Sequence, residues 1–286
     1  MQHTLKDKIV FENVGLHSGQ MLRATVKPVD ANHGILFIRS DIKGRNNAIP
    51  GAVSCSVPSP LCTTLTIGDD VQIHTVEHLM SALNALGVDN AIISVNGPEI
   101  PFMDGSAIQF VEKIKEVGLE AQDAPKQQIK ILKEVQLNDG DKYCKLSPSE
   151  DIIFKFEIDF PQASVIGKQK FEVTLTPETF EKEIAPNRSF GILQDVDYLR
   201  EQGLIKGGSL ENAVVVDGDK VLNPEGLRNP DEFVRHKILD AIGDLYLAGA
   251  QIIGEFEGYK CSHAMHSALL RKVFSDPESF EITVQP

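Results

Sequence analysis

Three residues in one stretch have the types and spacing to hold a metal ion. His236, Asp240 and Asp244 fall at i, i+4 and i+8 of residues 230–249, PDEFVRHKILDAIGDLYLAG. On an α-helix, side chains four apart stack along one face. A His and an Asp so placed can both reach one Zn2+ at about 2.0–2.2 Å. Val234, Ile238, Ala241, Ile242 and Leu245 form the opposing apolar stripe that would anchor such a helix. Taken alone, the same line of residues also fits a solvated i, i+4 charge pair worth about a few tenths of a kcal/mol. A second piece lies in residues 74–83, HTVEHLMSAL. Glu77 and His78 are adjacent, so on a helix they point about 100° apart. One can bind metal while the other faces a water at the metal, although an ordinary helix start has the same look. Together the two pieces supply His78, His236 and Asp240 as ligands, with Glu77 left over as a base. Three protein ligands, one open position and a nearby carboxylate make a complete hydrolytic set. A competing pattern overlaps it. His74-Thr75-Val76-Glu77-His78 matches H-x-x-E-H, a zinc-peptidase signature in which His74 and His78 are both ligands. That reading leaves His236 and Asp240 without a role, and it puts His74 directly after the strand-like residues 69–73.

The elements that must position these residues are legible as alternating strands and helices. In the first half, residues 5–13, 21–28, 34–40 and 90–96 read as strands. Residues 75–87 read as a helix, with Val76, Leu79, Met80, Leu83 and Leu86 at helical spacing. Residues 106–118 read as another, with Ser106 and Gln109 as a capping box and Gly118 at its end. Residues 120–128 are polar, contain a proline and lack periodicity, so a linker is expected there, dividing the chain into residues 1–124 and 125–286. In the second half, residues 128–137, 141–147, 151–160 and 170–176 read as strands. Residues 212–222 read as a hairpin with Asp217-Gly218 at its turn. Short helices are expected over 177–184 and 195–203. The long helix over 230–249 has Asn229 as its cap, Pro230 at its first position, Glu232 at its third and Gly249 at its end. A strand over 250–260 and a last helix follow. Each half is thus strands followed by a helix pair, an α+β arrangement of two similar domains, each a small mixed sheet layered against two helices.

Composition narrows the function classes. The 286 residues suit about two domains of roughly 150 residues. A 42% hydrophobic and 24% charged chain can bury a real core. The formal net charge of −13 argues against nucleic acid as a partner, because phosphate neutralisation needs clustered Lys and Arg. It leaves room for a phosphate-bearing small ligand in one local basic pocket. No apolar run reaches about 18 residues, so stable membrane insertion is not expected. The N-terminus lacks the apolar core of a signal peptide, and the cytoplasm is the expected location. Cys55, Cys62, Cys144 and Cys261 are scattered with no CxxC pair, which points to free thiols rather than a zinc ribbon or redox motif.

Longer blocks resemble a known family. TVEHLMSALNALGVDNAIISVNGPEIPFMDGS (residues 75–106), IKGGSLENAVVVD (205–217) and EFVRHKILDAIGDLYLAG (232–249) resemble the UDP-3-O-acyl-N-acetylglucosamine deacetylases. VGLHSG, SPLCTTL and NRSFG fit the same family, and the motif order is kept over nearly the whole chain. The resemblance implies removal of acetate from a UDP-linked, 3-O-acylated glucosamine, an early and committing step of lipid A synthesis. It implies two similar α+β domains, each with an insert, and an active site between them. It assigns His78, His236 and Asp240 to zinc, although iron(II) also suits a two-His, one-Asp set. It makes Glu77 the general base and His263, in KCSHAM, the general acid. Asp244 would orient that histidine and keep it charged, and Lys237 would contact substrate and the developing oxyanion. Ser189 stands in NRSFG where the family usually has Thr, and its hydroxyl can still donate to an oxyanion. After His263 the usual Ala-Leu-Asn-Asn reads Ala264-Met265-His266-Ser267, which touches local packing rather than the acid. The second insert, within about residues 190–225, would give the acyl chain an apolar passage, with Leu204, Ile205, Gly208, Leu210 and Ala213 as candidate wall residues. Leu61 and Cys62 fall in the first insert and would face the site, and Phe190 would stack on sugar or nucleotide. For each of these a plain core role is the alternative, and His17 fits either a place near the site or a turn. The expected partner is therefore a small-molecule UDP-sugar lipid, bound by a monomer. A non-catalytic binding protein on the same fold would instead show no loss on Glu77→Ala.

Overall fold

The computed structural model describes residues 1–59, 61–68 and 70–285, the Gln285 side chain apart. Its first elements are β1 (Gln2–Leu5), β2 (Ile9–Val14), β3 (Met21–Lys27), β4 (Ile35–Arg39), β5 (Ala48–Pro50), β6 (Ser56–Val57), β7 (Thr64–Ile67) and β8 (Val71–His74). Helix α1 (Glu77–Leu86), β9 (Ala91–Val95), α2 (Ile108–Val117) and β10 (Leu119–Gln122) follow. Strands β2, β3, β9, β4 and β5 form a five-stranded mixed sheet, in that order, with only the β4–β9 pair parallel. In β3 the alternation is clean. Leu22, Ala24 and Val26 point into the core, and Met21, Arg23 and Lys27 face solvent. Strands β6, β7 and β8 form a separate three-stranded antiparallel sheet that leads directly into α1.

The second half holds β11 (Lys126–Ile131), β12 (Val135–Asp139), β13 (Lys142–Ser147), β14 (Ile152–Phe160), β15 (Gly167–Thr174), a short α3 (Pro177–Thr179), β16 (Phe190–Ile192), α4 (Leu193–Glu201), β17 (Val214–Asp217) and β18 (Lys220–Val221). Then come α5 (Glu232–Leu245), β19 (Gln251–Tyr259), α6 (His263–Phe274) and β20 (Phe280–Gln285). The nine-residue β19 is the spine of a seven-stranded mixed sheet. It pairs with β11 through its first residues and with β13 and β14 through the rest. Strands β16, β17 and β18 make another small sheet beside α4. The fold is α+β as expected, and each large sheet is layered against two helices: α1 and α2, or α5 and α6.

Helix α2 rests on α1, α1 on α5, and α5 on α6, while α5 and α6 also cover β12 to β15. The expected apolar stripes are present, and more is buried than they require. Leu79 and Leu83 of α1 and Ile238 and Ile242 of α5 are wholly buried, each worth about 1.5–3 kcal/mol relative to exposure. Most polar positions of both helices are buried as well, Arg235 and Lys237 of α5 being only half-buried, because α1 and α5 lie against each other at the seam between the two sheets. No helix among the described residues is long and apolar enough to cross a membrane.

Several local expectations need correction. Residues 5–13 are not one strand: Leu5 ends β1, which pairs with β10 outside the five-stranded sheet, and β2 begins only at Ile9. The region 120–128 is not an irregular linker. It contains most of β10 and the start of β11, whose backbone pairing needs no apolar periodicity. Residues 128–137 likewise divide into β11 and β12, which have different partners. Ser106 and Gln109 form no capping box. The Ser106 hydroxyl donates to Asp104, and α2 begins after Ala107 without a side-chain cap. Asn229 does not cap α5. The helix starts at Glu232, and the Asn229 amide donates to Asn187 Oδ1. The hairpin turn is Gly218-Asp219, one residue on, since Asp217 pairs with Lys220 and Gly218 takes a φ of 60°. Asp69, the first residue of the strand read over 69–73, lies outside the described residues.

Candidate metal centre and adjoining cavity

The seam between α1 and α5 exists because one residue has no side chain. A Cβ on Gly243 would sit 2.0 Å from the Glu77 carbonyl oxygen and 3.0 Å from its Cα. Only glycine lets the first turn of α1 approach α5 this closely. About two turns further along α1, the Asn84 amide donates to the Ile242 carbonyl at 3.0 Å and fixes the register of the two helices. The entry to α1 is strained. Thr75, a β-branched residue, holds a φ of 59°, which costs on the order of 1–3 kcal/mol. Its hydroxyl donates to Glu99, and its N–H donates to the Thr63 carbonyl. These bonds hold the turn that sends β8 into α1 and places Glu77 and His78 at the seam.

His78 from α1 meets His236 and Asp240 from α5 there, and all three are buried. Asp240 Oδ1 lies 3.6 Å from His78 Nε2 and 3.4 Å from His236 Nε2. Tetrahedral ligands at about 2.0–2.2 Å from one ion are about 3.3–3.6 Å apart, so these spacings match a single zinc-sized cation. His236 Nδ1 donates to the Asn187 carbonyl at 3.0 Å. That bond fixes the tautomer and leaves the Nε2 lone pair facing the other two ligands. Burial drives the His236 pKa down to about 3, with Asp240 opposing, so the ring is neutral as a ligand must be. Burial works against charge on Asp240, but His236, Lys237, His78 and His263 outweigh it and hold its carboxyl well below the usual range. The donor set therefore fits a divalent metal.

A second group of ionisable residues adjoins the first. Glu77 is buried, and its Oε2 accepts from the Thr63 N–H at 3.0 Å. Burial pushes its carboxyl up to about 8, against the pull of His263. The Thr63 hydroxyl donates to Asp244 Oδ1, so one residue ties Glu77 to Asp244. His263, the first residue of α6, sets its Nδ1 2.7 Å from Asp244 Oδ2 and its Nε2 4.0 Å from Asp240. Burial disfavours charge on His263. The carboxylates of Asp244, Glu77 and Asp240 outweigh that penalty and raise its pKa to about 10. Lys237 Nζ donates to Asp240 Oδ2 at 2.8 Å and lies 5.7 Å from the centre of the Phe190 ring.

A cavity of about 520 Å³ lies between the small β16–β18 sheet, α4 and the loop carrying His17, and reaches the cluster at Lys237. Ser189, Phe190 and Lys237 lie on its wall, as do Leu61, Gly208, Leu210 and Ala213. His17 and Ile205 line it too, whereas Leu204 does not. Cys62 is buried away from the wall, with its thiol near Ser59 and Thr64. His74 is not part of either cluster. It ends β8 with Nδ1 2.9 Å from the Thr64 hydroxyl, and the two buried ligand groups among the described residues are His78–His236–Asp240 and Asp244–His263–His266. The H-x-x-E-H reading fails because His74 is on a strand and Thr75 turns the chain before the helix begins. Five residues escaped the sequence analysis in these roles: Thr63, Asn187, His266, and Arg188 with Glu232, whose carboxylate accepts from the Arg188 N–H and guanidinium. Asn187 acts through its backbone carbonyl and Thr63 partly through its N–H, which no residue pattern signals. NRSFG was the only pointer to Asn187 and Arg188.

A family model described as UDP-3-O-acyl N-acetylglycosamine deacetylase (LpxC) matches residues 2–275. The chain is 45% identical over 281 residues to a UDP-3-O-acyl-N-acetylglucosamine deacetylase of Phenylobacterium zucineum, covering 98% of this chain and 96% of that one. It is 46% identical to proteins of the same name from Pseudomonas entomophila and Myxococcus xanthus, again over 98% of this chain and over 92% and 88% of theirs.

Proposed function

The chain belongs to the UDP-3-O-acyl N-acetylglycosamine deacetylase family, and from that premise we propose how its buried groups divide the work of amide hydrolysis. The reaction removes the N-acetyl group of a UDP-3-O-acyl-N-acetylglucosamine, in lipid A biosynthesis. The observation that carries the assignment is Asp240 Oδ1 set 3.6 and 3.4 Å from the Nε2 atoms of His78 and His236, with all three donors clustered near His263 and a cavity lined by Lys237. His78, His236 and Asp240 are the metal ligands, and zinc is the ion, with iron(II) the alternative such donors admit. Held there, the ion supplies a Lewis acid that polarises the acetyl carbonyl and makes the attacking water more acidic.

The chain's own groups do the rest. Glu77 takes a proton from the attacking water, and its burial gives it the high proton affinity a base needs near neutral pH. Lys237 and Ser189, on the cavity wall, donate to the oxyanion that develops on the acetyl oxygen. His263 is held cationic and oriented by Asp244, and passes a proton from Nε2 to the departing sugar nitrogen. Acetate and the free amine leave. The ring of Phe190 meets the sugar or nucleotide, and the acyl chain lies along Leu61, Gly208, Leu210 and Ala213. Cys62 supports this wall from behind. The division between the two α+β halves falls near residues 124–125.

Substitution separates the roles. His78→Ala or Asp240→Ala should lose metal and activity together. Glu77→Gln should keep its metal and lose about 10²–10⁴-fold in rate. Full activity in Glu77→Gln would overturn the mechanism.

A further inference from the structure

Asp244 is fully buried, and its two oxygens meet three side-chain donors. Oδ1 accepts from Thr63, while Oδ2 accepts twice, from His263 Nδ1 at 2.7 Å and from His266 Nδ1 at 2.8 Å. His263 and His266 are one turn apart on α6, with ring planes at 82° and both δ-nitrogens aimed at one oxygen. His266 is 1% exposed and is boxed edge-to-face by Phe156 and Phe256, with ring centres 6.3 and 5.4 Å away. Its ring therefore cannot swing. On its far side, Nε2 lies 3.3 Å from Cys261 Sγ.

The hydrogens can be assigned around this chain. Burial opposes charge on Asp244, but His263 and His266 outweigh it and keep the carboxylate ionised, so His266 must bring the hydrogen on Nδ1. Burial also holds the Cys261 thiol well above its usual range, so it keeps its hydrogen and can donate to Nε2. His266 thus turns its Nδ1–H toward Asp244 and its Nε2 toward the Cys261 thiol.

We propose that His266 is a positioning residue for the proton donor: an imidazole that turns its Nδ1–H to Asp244 and its Nε2 to the Cys261 thiol, and so locks the Asp244 carboxylate where it meets His263. The proposal rests on His263 being the proton donor to the leaving amine. Without His266, only Thr63 on Oδ1 would fix the carboxylate independently of His263, and rotation about its Cβ–Cγ bond could shift Oδ2 together with the His263 ring. The His266 bond closes that rotation. A misplacement of about 1 Å in a reacting group can cost about 10²-fold in rate.

Two variants test it. His266→Leu keeps bulk and removes the donor. His266→Asn keeps a donor at the same place along the side chain, because Asn Nδ2 and His Nδ1 are both bonded to Cγ. Steady-state acetate release, metal content and thermal midpoint are measured for both. His266→Leu should lower kcat about 10–100-fold at roughly unchanged KM and metal content, and His266→Asn should recover most of the loss. Wild-type kcat in His266→Leu, or an equal loss in His266→Asn, would overturn the proposal. Nitrogen-15 NMR of the histidine rings gives a readout independent of turnover. A protonated Nδ1 and bare Nε2 on His266 support the assignment, and the reverse tautomer sinks it even if the wild-type enzyme is active. A wild-type protein that releases no acetate would fail the functional reading instead.

Discussion

Replacing Gly243 by alanine should open the seam and weaken the metal centre without touching any ligand. The added Cβ would lie 2.0 Å from the Glu77 carbonyl oxygen and 2.8 Å from its carbon, both backbone atoms that cannot turn aside. Heavy atoms in comfortable contact are about 3.5 Å apart, so α1 and α5 must separate by about 1–1.5 Å. His78 travels with α1, whereas His236 and Asp240 travel with α5. A 3.6 Å gap between His78 Nε2 and Asp240 Oδ1 then approaches about 5 Å, far outside the roughly ±0.2 Å that metal–ligand distances tolerate. Overpacking of this kind costs about 1–3 kcal/mol of stability. Lost ligation should weaken metal binding by at least about 10–100-fold, the scale on which even outer partners of a ligand matter. Competition against a chelator of known affinity reads the metal constant, and urea unfolding of the metal-free protein reads stability. A Gly243→Ala protein with wild-type metal affinity would refute the claim that this close approach sets the site.

Other perturbations have distinct signatures. Arg188 is 2% exposed and bonds Glu232 through Nε at 2.9 Å, so Glu232→Ala should remove its one buried carboxylate partner, leaving the more exposed Glu225 and the Gly226 carbonyl, and cost about 3 kcal/mol in urea unfolding; a loss under about 1 kcal/mol would show the pair to be replaceable. Asp104 bonds Arg228 across the chain at 2.8 Å. Burial disfavours the Asp104 charge, but Arg228 and Ser106 outweigh it and lower the carboxyl below its usual 3.8. A depressed folded pKa stabilises above the unfolded value and is lost as pH falls through the folded one, so this contribution should disappear below about pH 4. Asp104→Asn should lower stability at neutral pH and flatten the acid limb of a stability–pH curve; an unchanged acid limb would contradict the pairing. Cavity substitution should act on binding. Ala213→Phe, on the wall beside Leu210, should raise KM for the acylated substrate by about tenfold, consistent with an overpacking cost of about 1–3 kcal/mol; an unchanged KM would place the acyl chain elsewhere.

The clustered residues proposed as metal ligands were legible because their signal is local. His236 and Asp240 are four apart on a strongly periodic helix, and Glu77 and His78 open another. Their burial was not legible from either helix alone. A line of His and Asp residues looks like a solvated face until a second helix covers it, and what brings α1 to α5 is a single glycine. The long-range ties were equally hidden: Thr63 and Asp244 are 181 positions apart, and Asn187 reaches His236 through a carbonyl. Of the fold, long strands and both central helices followed from periodicity. The short pieces did not. Strands β6 and β10 are held by backbone pairing with neighbours that sequence spacing does not reveal. The start of α5 was misread because Glu232, which looks like a helix-start residue, is drawn onto Arg188.

The central claim is that one metal held by His78, His236 and Asp240 serves an amide hydrolase acting on a UDP-3-O-acyl-N-acetylglucosamine. The most direct test is acetate release from that substrate by the purified protein, before chelation, after it, and after return of one equivalent of zinc. Release that stops with the chelator and resumes with the equivalent of zinc is the predicted result. Release that persists at full rate in protein stripped of metal, or none at all from protein carrying one equivalent, would contradict it.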